Sequence, residues 1–211
     1  MGKTPIEWTD QSWNPTRGCR RVSPGCLHCY AERVAYRFSG AGKPYEGLVK
    51  LSKGGPVWTG EGRFVPDALD APLHWRAQQM IFVNSMSDLF YEAFTDEQIA
   101  AVFQVMALAH RHTFQVLTKR LDRAVNWFSW LAARAQQRNH LLPATWLVKE
   151  ACEIHQLGKG AGFTPSWPLP NVWLVASAEN QATADERIPQ LLRCPAAVRG
   201  VSYEPALEAV D

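Results

Sequence analysis

Three cysteines lie close together near the start of the sequence, in the segment CRRVSPGCLHCYAER. Cys19, Cys26 and Cys29 have the spacing C-x6-C-x2-C, which is compact enough for one loop to bind one inorganic centre. The loop between them is polar and contains Pro24 and Gly25, so burial of all three thiols in a hydrophobic core is the weaker interpretation. The residue types therefore indicate metal binding.

Two kinds of metal centre fit this spacing. A structural zinc site needs four ligands. His28 directly precedes Cys29, which leaves little room for both side chains to reach one ion, so the fourth ligand would come from Cys152 or His155. A 4Fe–4S cluster held by three thiolates instead leaves one iron open for an exogenous ligand. The spacing leaves both interpretations open.

The composition indicates a globular cytoplasmic protein. A chain of 211 residues with 46% hydrophobic content can bury one substantial core, and we expect a single domain over residues 1–211. No apolar run reaches the ~18 residues of a membrane span, and the N-terminus lacks a signal-peptide pattern. Because a reducing compartment disfavours disulfides, clustered thiols there are better interpreted as ligands or catalysts. Cys194 is expected to be buried and inert.

Positive charge is concentrated around the cysteines, although the formal net charge is only +2. The cations are Arg17, Arg20, Arg21, Arg33 and Arg37, with Glu32 as the single acid among them. An anionic substrate such as a nucleic acid is one interpretation of this pattern, and a solvated surface is the other. Five aromatic side chains could serve as stacking platforms for bases: Trp8, Trp13, Tyr30, Tyr45 and Trp58.

The elements that must position these residues alternate between strand and helix. Apolar runs at residues 80–84, 114–118, 171–177 and 197–203 predict parallel strands buried on both faces. A helix is predicted directly after the cysteines. Thr95 and Gln98 form a capping box that begins another, and residues 121–138 carry a further helical stripe. Pro189 is expected to start the last helix, which would run to about Arg193. The alternation predicts an α/β layer or barrel.

Two glycine- and proline-rich segments, at about residues 40–78 and 139–170, interrupt this alternation. Such segments are predicted to be long loops of the same domain and not independent domains.

Polar side chains stand where each predicted strand ends. In parallel α/β folds the chemistry gathers at the carboxyl ends of the strands, so these residues are site candidates. They are Ser85 and Asp88 after the first run, Lys119 and Arg120 after the second, Ser177, Glu179 and Asn180 after the third, and Glu204 after the fourth.

Five sequence blocks carry a resemblance to a known family. IEWTDQSWNPTRGC, FVNSMSDLF, VLTKR, NVWLVASAENQ and VSYEPAL span residues 6–207. Together with the C-x6-C-x2-C spacing they resemble the three-Cys-motif protein family of phages and prophages. That family is similar to the radical S-adenosylmethionine enzymes and lies nearest their spore photoproduct lyase branch.

The resemblance implies a fold, two cofactors and a reaction. The fold would be a partial (βα)6 TIM-like barrel, with a 4Fe–4S cluster held by Cys19, Cys26 and Cys29. S-adenosylmethionine would chelate the fourth iron, and its reductive cleavage would give a 5′-deoxyadenosyl radical that abstracts hydrogen from a macromolecule. The basic residues favour a nucleic acid as that macromolecule. A methyltransferase-like three-Cys-motif partner protein is also implied.

The resemblance also implies roles for individual residues. His28 would lie near the adenine, and Ser85 and Asp88 would bind the methionyl amine, for which a carboxylate is suited. Ser177 and Glu179, with Lys119, would line the ribose or carboxylate side. Lys119 and Glu204 are the candidate catalytic residues, with Glu204 near the substrate.

The chain departs from the family pattern in ways that favour an alternative. Val175 stands where the family has a glycine, and a side chain there would crowd the cofactor. The sequence stops at Asp211, just past the fifth strand, which predicts a barrel shortened at its C-terminal side. The alternative function is a non-catalytic binding module for nucleic acid or protein, of phage origin, stabilised by zinc or a cluster.

Overall fold

The fold is a mixed α/β arrangement around one parallel sheet, in a computed structural model that describes residues 6–149 and 165–211. In chain order the strands are β1 (Gln11–Trp13), β2 (Thr16–Arg17), β3 (Val49–Ser52), β4 (Gly55–Trp58), β5 (Arg63–Phe64), β6 (Met80–Val83), β7 (Thr113–Thr118), β8 (Val172–Ala178) and β9 (Val198–Tyr203). The helices are α1 (Tyr30–Arg37), α2 (Ala71–His74), α3 (Asp96–Leu108), α4 (Leu121–Gln137), α5 (Pro143–Lys149) and α6 (Gln181–Arg193). Two 3-10 helices cover Pro24–His28 and Pro66–Ala68.

The central sheet has five strands in the order β1-β6-β7-β8-β9, and every neighbouring pair is parallel. Its register aligns Trp13 with Val83, Val83 with Val116, and Val116 with Leu174. The predicted α/β class with parallel strands is confirmed. Because all five strands run the same way, their carboxyl ends meet at one edge of the sheet.

The main hydrophobic core lies between one face of this sheet and helices α3 and α4. Side chains alternate along a strand, so Phe114 and Val116 of β7 are buried in this core. Phe103 of α3 and Trp127 of α4 stack with ring centroids 4.4 Å apart, and Phe128 packs edge-on against Phe103. Burial of large aromatic side chains supplies much of the stabilisation of such a core.

Local signals begin the helices that flank the sheet. The predicted capping box at the start of α3 is present, with Thr95 accepting a hydrogen bond from the Gln98 backbone amide and the Gln98 side chain accepting one from Thr95. Helix α4 spans the predicted stretch 121–138 to within one residue.

The prediction for the last helix is wrong. Helix α6 begins at Gln181, eight residues before Pro189, and contains that proline in its interior. Asn180 forms a capping box with Thr183, and this start signal outweighs the proline. Pro189 lies on the exposed side of the helix, where water can hydrogen-bond the carbonyl group that proline leaves without a donor.

Short elements occupy the segment 40–78, which was predicted as a long loop. Strands β3 and β4 form an antiparallel hairpin, and β5 pairs with β2. Strands of four residues, one of which contains Gly55 and Pro56, have almost no periodic pattern, so the sequence did not reveal them. In the other predicted loop, 139–170, the structure describes α5 and residues 165–170. The candidate zinc ligands Cys152 and His155 lie outside the described residues.

A second, smaller apolar cluster joins this hairpin to α1. Its buried members are Ala31, Ala35, Leu48, Val49, Trp58 and Met86, and Cys19 and Cys29 pack against it. We call this cluster, together with α1, the β3–β4 hairpin and the cysteine loop 19–29, the thiol region.

The last strand differs from the prediction that both faces are buried. Most residues of β9 are exposed, including Val201 at 49% and Tyr203 at 39%. It is an edge strand that pairs only with β8 in the described structure, so only one side of its backbone is covered. No helix within residues 6–149 and 165–211 combines the length and hydrophobicity needed to cross a membrane.

Candidate functional site

A cavity of about 440 Å³ lies at the carboxyl edge of the sheet, between the ends of β6, β7 and β8 and the cysteine loop. It brings together nearly all of the residues that the sequence singled out. Those lining it are Cys19, Cys26, Cys29, His28, Ser85, Asp88, Lys119, Ser177 and Glu204. A cavity of this volume is in the range of small-molecule and cofactor sites.

Backbone geometry fixes the start of the cysteine loop. Gly18 has φ +87°, and a Cβ at this position would lie 2.2 Å from the carbonyl oxygen of Glu61. Only glycine fits there. Gly18 also bridges to Ser87, so the residue before Cys19 is tied to the segment that follows β6.

A 3-10 helix then turns the loop back toward the sheet. The amide of Cys26 donates to Ser23 O at 3.0 Å, and the amide of Cys29 donates to Cys26 O at 3.3 Å. Cys29 is the N-cap of α1, so the last cysteine is held where loop and helix meet. These contacts direct the cysteine loop over one cavity.

Burial favours the protonated form of two of the thiols, those of Cys19 and Cys29. Burial raises the pKa of Cys19 to about 12, with the nearby Arg120 guanidinium opposing the shift. Burial likewise raises the pKa of Cys29. A metal centre must therefore displace protons here, which its own positive charge does when thiolate bonds form.

The three cysteines line one cavity, but their side chains do not converge on a single point in the described structure. Within residues 6–149 and 165–211, no group of three His, Cys, Asp or Glu side chains is arranged to hold one metal ion. A 4Fe–4S cluster makes a different demand, because each thiolate binds a separate iron and the sulfur atoms need not converge on one point.

Asp88 joins the ends of two strands. Its Oδ1 accepts hydrogen bonds from the Phe90 amide at 3.0 Å and the Thr118 hydroxyl at 2.8 Å. Its Oδ2 accepts from the Lys119 amide at 3.0 Å and lies 3.5 Å from Arg120 Nη1. The carboxylate lines the cavity as predicted, but protein donors already occupy much of its hydrogen-bonding capacity.

Glu179 lies behind the cavity wall and is not among the lining residues. Its side chain is fully buried, with Oε2 2.8 Å from Lys119 Nζ and 2.9 Å from Arg187 Nη1. Burial alone would raise the pKa of Glu179, but hydrogen bonds from Lys119 and Ser23 and the charges of Lys119 and Arg187 hold that pKa below its usual value. This carboxylate is ionised and positions its neighbours.

One of those neighbours is the cysteine loop itself. The Gly25 amide donates to Glu179 Oε1 at 3.3 Å, and a Cβ on Gly25 would lie 3.0 Å from the Glu179 carboxyl group. Glu179 therefore anchors the loop between Cys19 and Cys26 to the end of β8. Lys119, which lines the cavity, is held by the same carboxylate.

Sequence reasoning missed Asn84, the residue directly after β6. It lines the cavity, is 2% exposed, and has φ +61°, which is uncommon for a residue other than glycine. Neither its Oδ1 nor its Nδ2 has a hydrogen-bond partner among the described residues. A buried amide without partners costs free energy, and it is the kind of group that a ligand satisfies. The only sequence signal was an asparagine at a strand end.

Arg120 is the second residue that received no role from the sequence. It is buried, lies over the Tyr91 ring, donates to Arg20 O at 2.8 Å and contacts Glu92. The guanidinium links the cysteine loop to the segment after β6. Because Arg120 also lines the cavity beside Cys19, it supplies positive charge next to the thiols.

A second cavity of about 320 Å³ adjoins the first and shares Leu117 and Glu204 with it. It lies on the face of the sheet opposite the main core, and its walls include Trp8, Gln115 and Val175. The Oε1 atom of Gln115 is buried and accepts no hydrogen bond from the described residues.

The structure changes the set of candidate stacking platforms. Trp13 is 0% exposed, so it cannot stack on a base, and its prediction as a platform is wrong. Trp58 is 8% exposed but lines the thiol-containing cavity. Both belong to hydrophobic clusters, which is the usual role of tryptophan. Trp8 and Tyr30 remain exposed, and Tyr45 is half-buried.

The predicted basic residues divide into two groups. Arg21 forms a two-pronged ion pair with the buried Glu32, and Arg17 lies over the Tyr45 ring. Arg20, Arg33 and Arg37 are exposed and form no ion pair within the described residues. The positive surface near the cavity is therefore smaller than the sequence count suggested.

Fold and cavity together define a parallel α/β protein with a thiol-lined site at the carboxyl edge of its sheet. The chain belongs to the family described as Protein of unknown function (DUF5131), whose sequence profile matches residues 3–211. Comparison with the curated proteins and with the solved structures gives no match. The family description names no activity.

Proposed function

We propose that this protein is a radical S-adenosylmethionine-type iron–sulfur enzyme that modifies or repairs a macromolecule, with nucleic acid as the favoured substrate. One observation carries the proposal: three cysteines spaced C-x6-C-x2-C line the same cavity as a buried, unpartnered amide and the polar strand ends. The resemblance to the three-Cys-motif family of phages supports the same reading. The five-stranded parallel sheet is consistent with the proposed partial (βα)6 barrel.

Cys19, Cys26 and Cys29 would hold the 4Fe–4S cluster. When bound, the cluster and S-adenosylmethionine supply the one-electron chemistry that yields a 5′-deoxyadenosyl radical and abstracts hydrogen from the substrate. The protein's own contribution is to position the groups and exclude water. Glu179 and Arg120 hold the cysteine loop through Gly25 and Arg20, as described above.

The polar groups at the ends of β6 and β8 would bind the methionyl and ribose parts of the cofactor. Asn84 offers both a donor and an acceptor from one buried amide, which suits a group that carries an amine beside a carboxylate. Asp88 adds negative charge toward the amine. Ser177, whose hydroxyl donates to Glu204 O at 3.3 Å, would face the ribose, and His28 would lie at the adenine.

Substrate would approach from the side of Glu204. This residue is exposed and lines both cavities, so it stands between the proposed cofactor site and the open face of the sheet. Lys119 is the other candidate catalytic residue, but its ammonium group is engaged with Glu179 at 2.8 Å. The ion pair with Glu179 holds the Lys119 side chain in place at the cavity wall.

The deciding experiment is anaerobic reconstitution with iron and sulfide, followed by metal analysis and electron paramagnetic resonance with and without S-adenosylmethionine. About four irons per chain and a reduced signal that shifts on adding S-adenosylmethionine are expected. Cys29→Ala should lose the cluster, whereas Cys194→Ala is the matched control, since Cys194 is buried far along the chain in the main core. A colourless protein that holds one zinc would instead support the non-catalytic binding module.

Asn84 permits a sharper test of the cofactor site. Asn84→Gly keeps the positive φ accessible while removing the amide, and we expect affinity for S-adenosylmethionine to fall about tenfold, the value of one good hydrogen bond. Calorimetry on the reconstituted protein measures this, with iron content unchanged. Asn139 also has a positive φ, at an exposed position, so Asn139→Gly is the control. Equal affinity in both variants would remove Asn84 from the site.

A further inference from the structure

The outer side of helix α1 is an exposed surface of alternating aromatic and cationic side chains. Arg33 lies three residues after Tyr30, and Tyr36 and Arg37 lie three and four residues after Arg33, so these side chains share one side of the helix. Tyr30 is 50% and Tyr36 is 41% exposed, and Phe38, which caps the helix, is 49% exposed. We call these five residues the α1 surface.

The charge of the α1 surface is entirely positive. Arg33 and Arg37 are exposed and have no ion-pair partner within the described residues. The one acid in the helix, Glu32, is buried on the opposite side and paired with Arg21. Three large exposed rings within nine residues are also unusual for a surface that stays in water.

The α1 surface begins at the candidate site. Tyr30 lines the thiol-containing cavity, and its hydroxyl donates to Ser85 O at 2.9 Å. From Tyr30 to Arg37 the helix extends about 10 Å at 1.5 Å per residue. A chain lying along the surface would thus have one end at the cavity.

We propose that the α1 surface binds single-stranded nucleic acid and guides it to the cavity. Cations that neutralise phosphates beside aromatic rings on which bases stack are the two components of such sites. Arg33 and Arg37 contact the phosphates, and Tyr36 and Phe38 stack with the bases. Tyr30 lies at the cavity entrance. The inference rests on the proposed function for its purpose, but the binding itself does not depend on the cluster.

The test is fluorescence anisotropy with a labelled oligothymidylate of about 20 nucleotides, over a series of salt concentrations. The salt slope is the change in log K per unit change in log salt concentration. The Arg33→Ala/Arg37→Ala double variant is expected to lower the magnitude of this slope by about 1.4, because two phosphate contacts each contribute about 0.7. Tyr36→Ala should weaken binding about tenfold with the salt slope unchanged, and Tyr36→Phe should restore most of it. Arg76→Ala is the matched control, since Arg76 is exposed and lies before β6, at the opposite edge of the sheet.

Iron content and the response to S-adenosylmethionine are measured on the same preparations. The inference would be overturned if neither the double variant nor Tyr36→Ala changed oligonucleotide binding in protein that still holds its cluster. The proposed function would then be unaffected. Equal competition by poly-glutamate and oligothymidylate would also overturn it, because an acidic polypeptide lacks bases that stack. If the protein bound the oligonucleotide but held no iron and did not respond to S-adenosylmethionine, the proposed function would be wrong and this inference would stand.

Discussion

The sheet core and the thiol region are stabilised in different ways. The sheet core buries large side chains such as Phe103 and Trp127 between β6–β8 and the long helices. The thiol region has a smaller apolar cluster of six buried side chains and depends on polar links, among them the pairing of Glu32 with Arg21 and the hydrogen bond from the Gly25 amide to Glu179. The difference indicates a rigid scaffold that carries a locally weaker site, as expected where a ligand must enter.

A single carboxylate illustrates how the thiol region is joined. Glu32 of α1 accepts two hydrogen bonds from Arg21 in the cysteine loop, and its Oε1 also accepts one from the Trp58 amide in the hairpin at 3.1 Å. Loop, helix and hairpin therefore meet at one buried group. In the sheet core, by contrast, apolar burial is spread over many residues.

The largest effect is expected in the sheet core. Phe103→Ala removes a buried ring that contacts Phe90, Trp127 and Phe128, and should lower the free energy of unfolding by about 3–5 kcal/mol. Urea denaturation followed by circular dichroism measures it. The exposed Leu192 is the control, since Leu192→Ala should change this free energy by less than about 0.5 kcal/mol. A similar small loss for Phe103→Ala would contradict the assignment of that ring to the core.

The next effect belongs to the thiol region and should stay there. Glu32→Gln leaves Arg21 without its ionic partner and weakens the link to Trp58, at a cost of about 1–3 kcal/mol. Hydrogen exchange should rise in α1 and the β3–β4 hairpin while β7 and β8 stay protected. Glu97→Gln breaks an exposed pair with Arg134 and serves as the control, because such pairs contribute little. Equal loss of protection in β7 would show that the two regions unfold as one.

The sheet core was predictable because its signals are local and repeated. The continuous apolar runs before Asn84, Lys119 and Glu179 indicated parallel strands, and polar residues at their ends indicated where the site would lie. Strong alternation between strand and helix leaves few alternative arrangements. The spacing of the three cysteines alone predicted that they would lie together.

The thiol region was less predictable because its contacts join distant parts of the chain. Nothing near Glu32 in the sequence indicates that it will meet the amide of Trp58, 26 residues later. Asn84 became a candidate only when burial and missing partners were known. The assignment of Glu179 to the cavity lining followed from its position at a strand end, but the direction of a side chain at such an end depends on the groups that pair with it.

The sheet core is also expected to lose stability at low pH because of one buried histidine. His112 is buried beside the sheet core. Its Nδ1 accepts a hydrogen bond from the Gln79 amide, and its Nε2 lies 3.0 Å from Pro72 O. Burial lowers the pKa of His112. Since the unfolded state binds the proton more tightly, stability is lost as pH falls below about 6.5. His112→Asn should reduce the loss in urea midpoint between pH 8 and pH 5.5. The exposed His74 is the control, because His74→Asn should leave that loss in place. An unchanged loss in His112→Asn would mean that other groups cause it.

The smallest effect is expected at Pro189, on the exposed side of helix α6. A proline inside a helix removes one backbone hydrogen bond, but here it is exposed, so replacing it opens no cavity. Pro189→Ala should restore the bond to the preceding turn and raise the free energy of unfolding by about 1 kcal/mol, less than the full helix-interior cost because proline also restricts the unfolded chain. Pro143 is the matched control: it is the first residue of α5, where no such bond is missing, so Pro143→Ala should not stabilise. Urea denaturation compares the two. Replacing proline frees the unfolded chain, so through that state it can only lower stability. Stabilisation by both substitutions would therefore show that the gain does not come from the backbone hydrogen bond missing at Pro189, whereas stabilisation by Pro189→Ala alone would show that α6 forms despite a local cost at that proline.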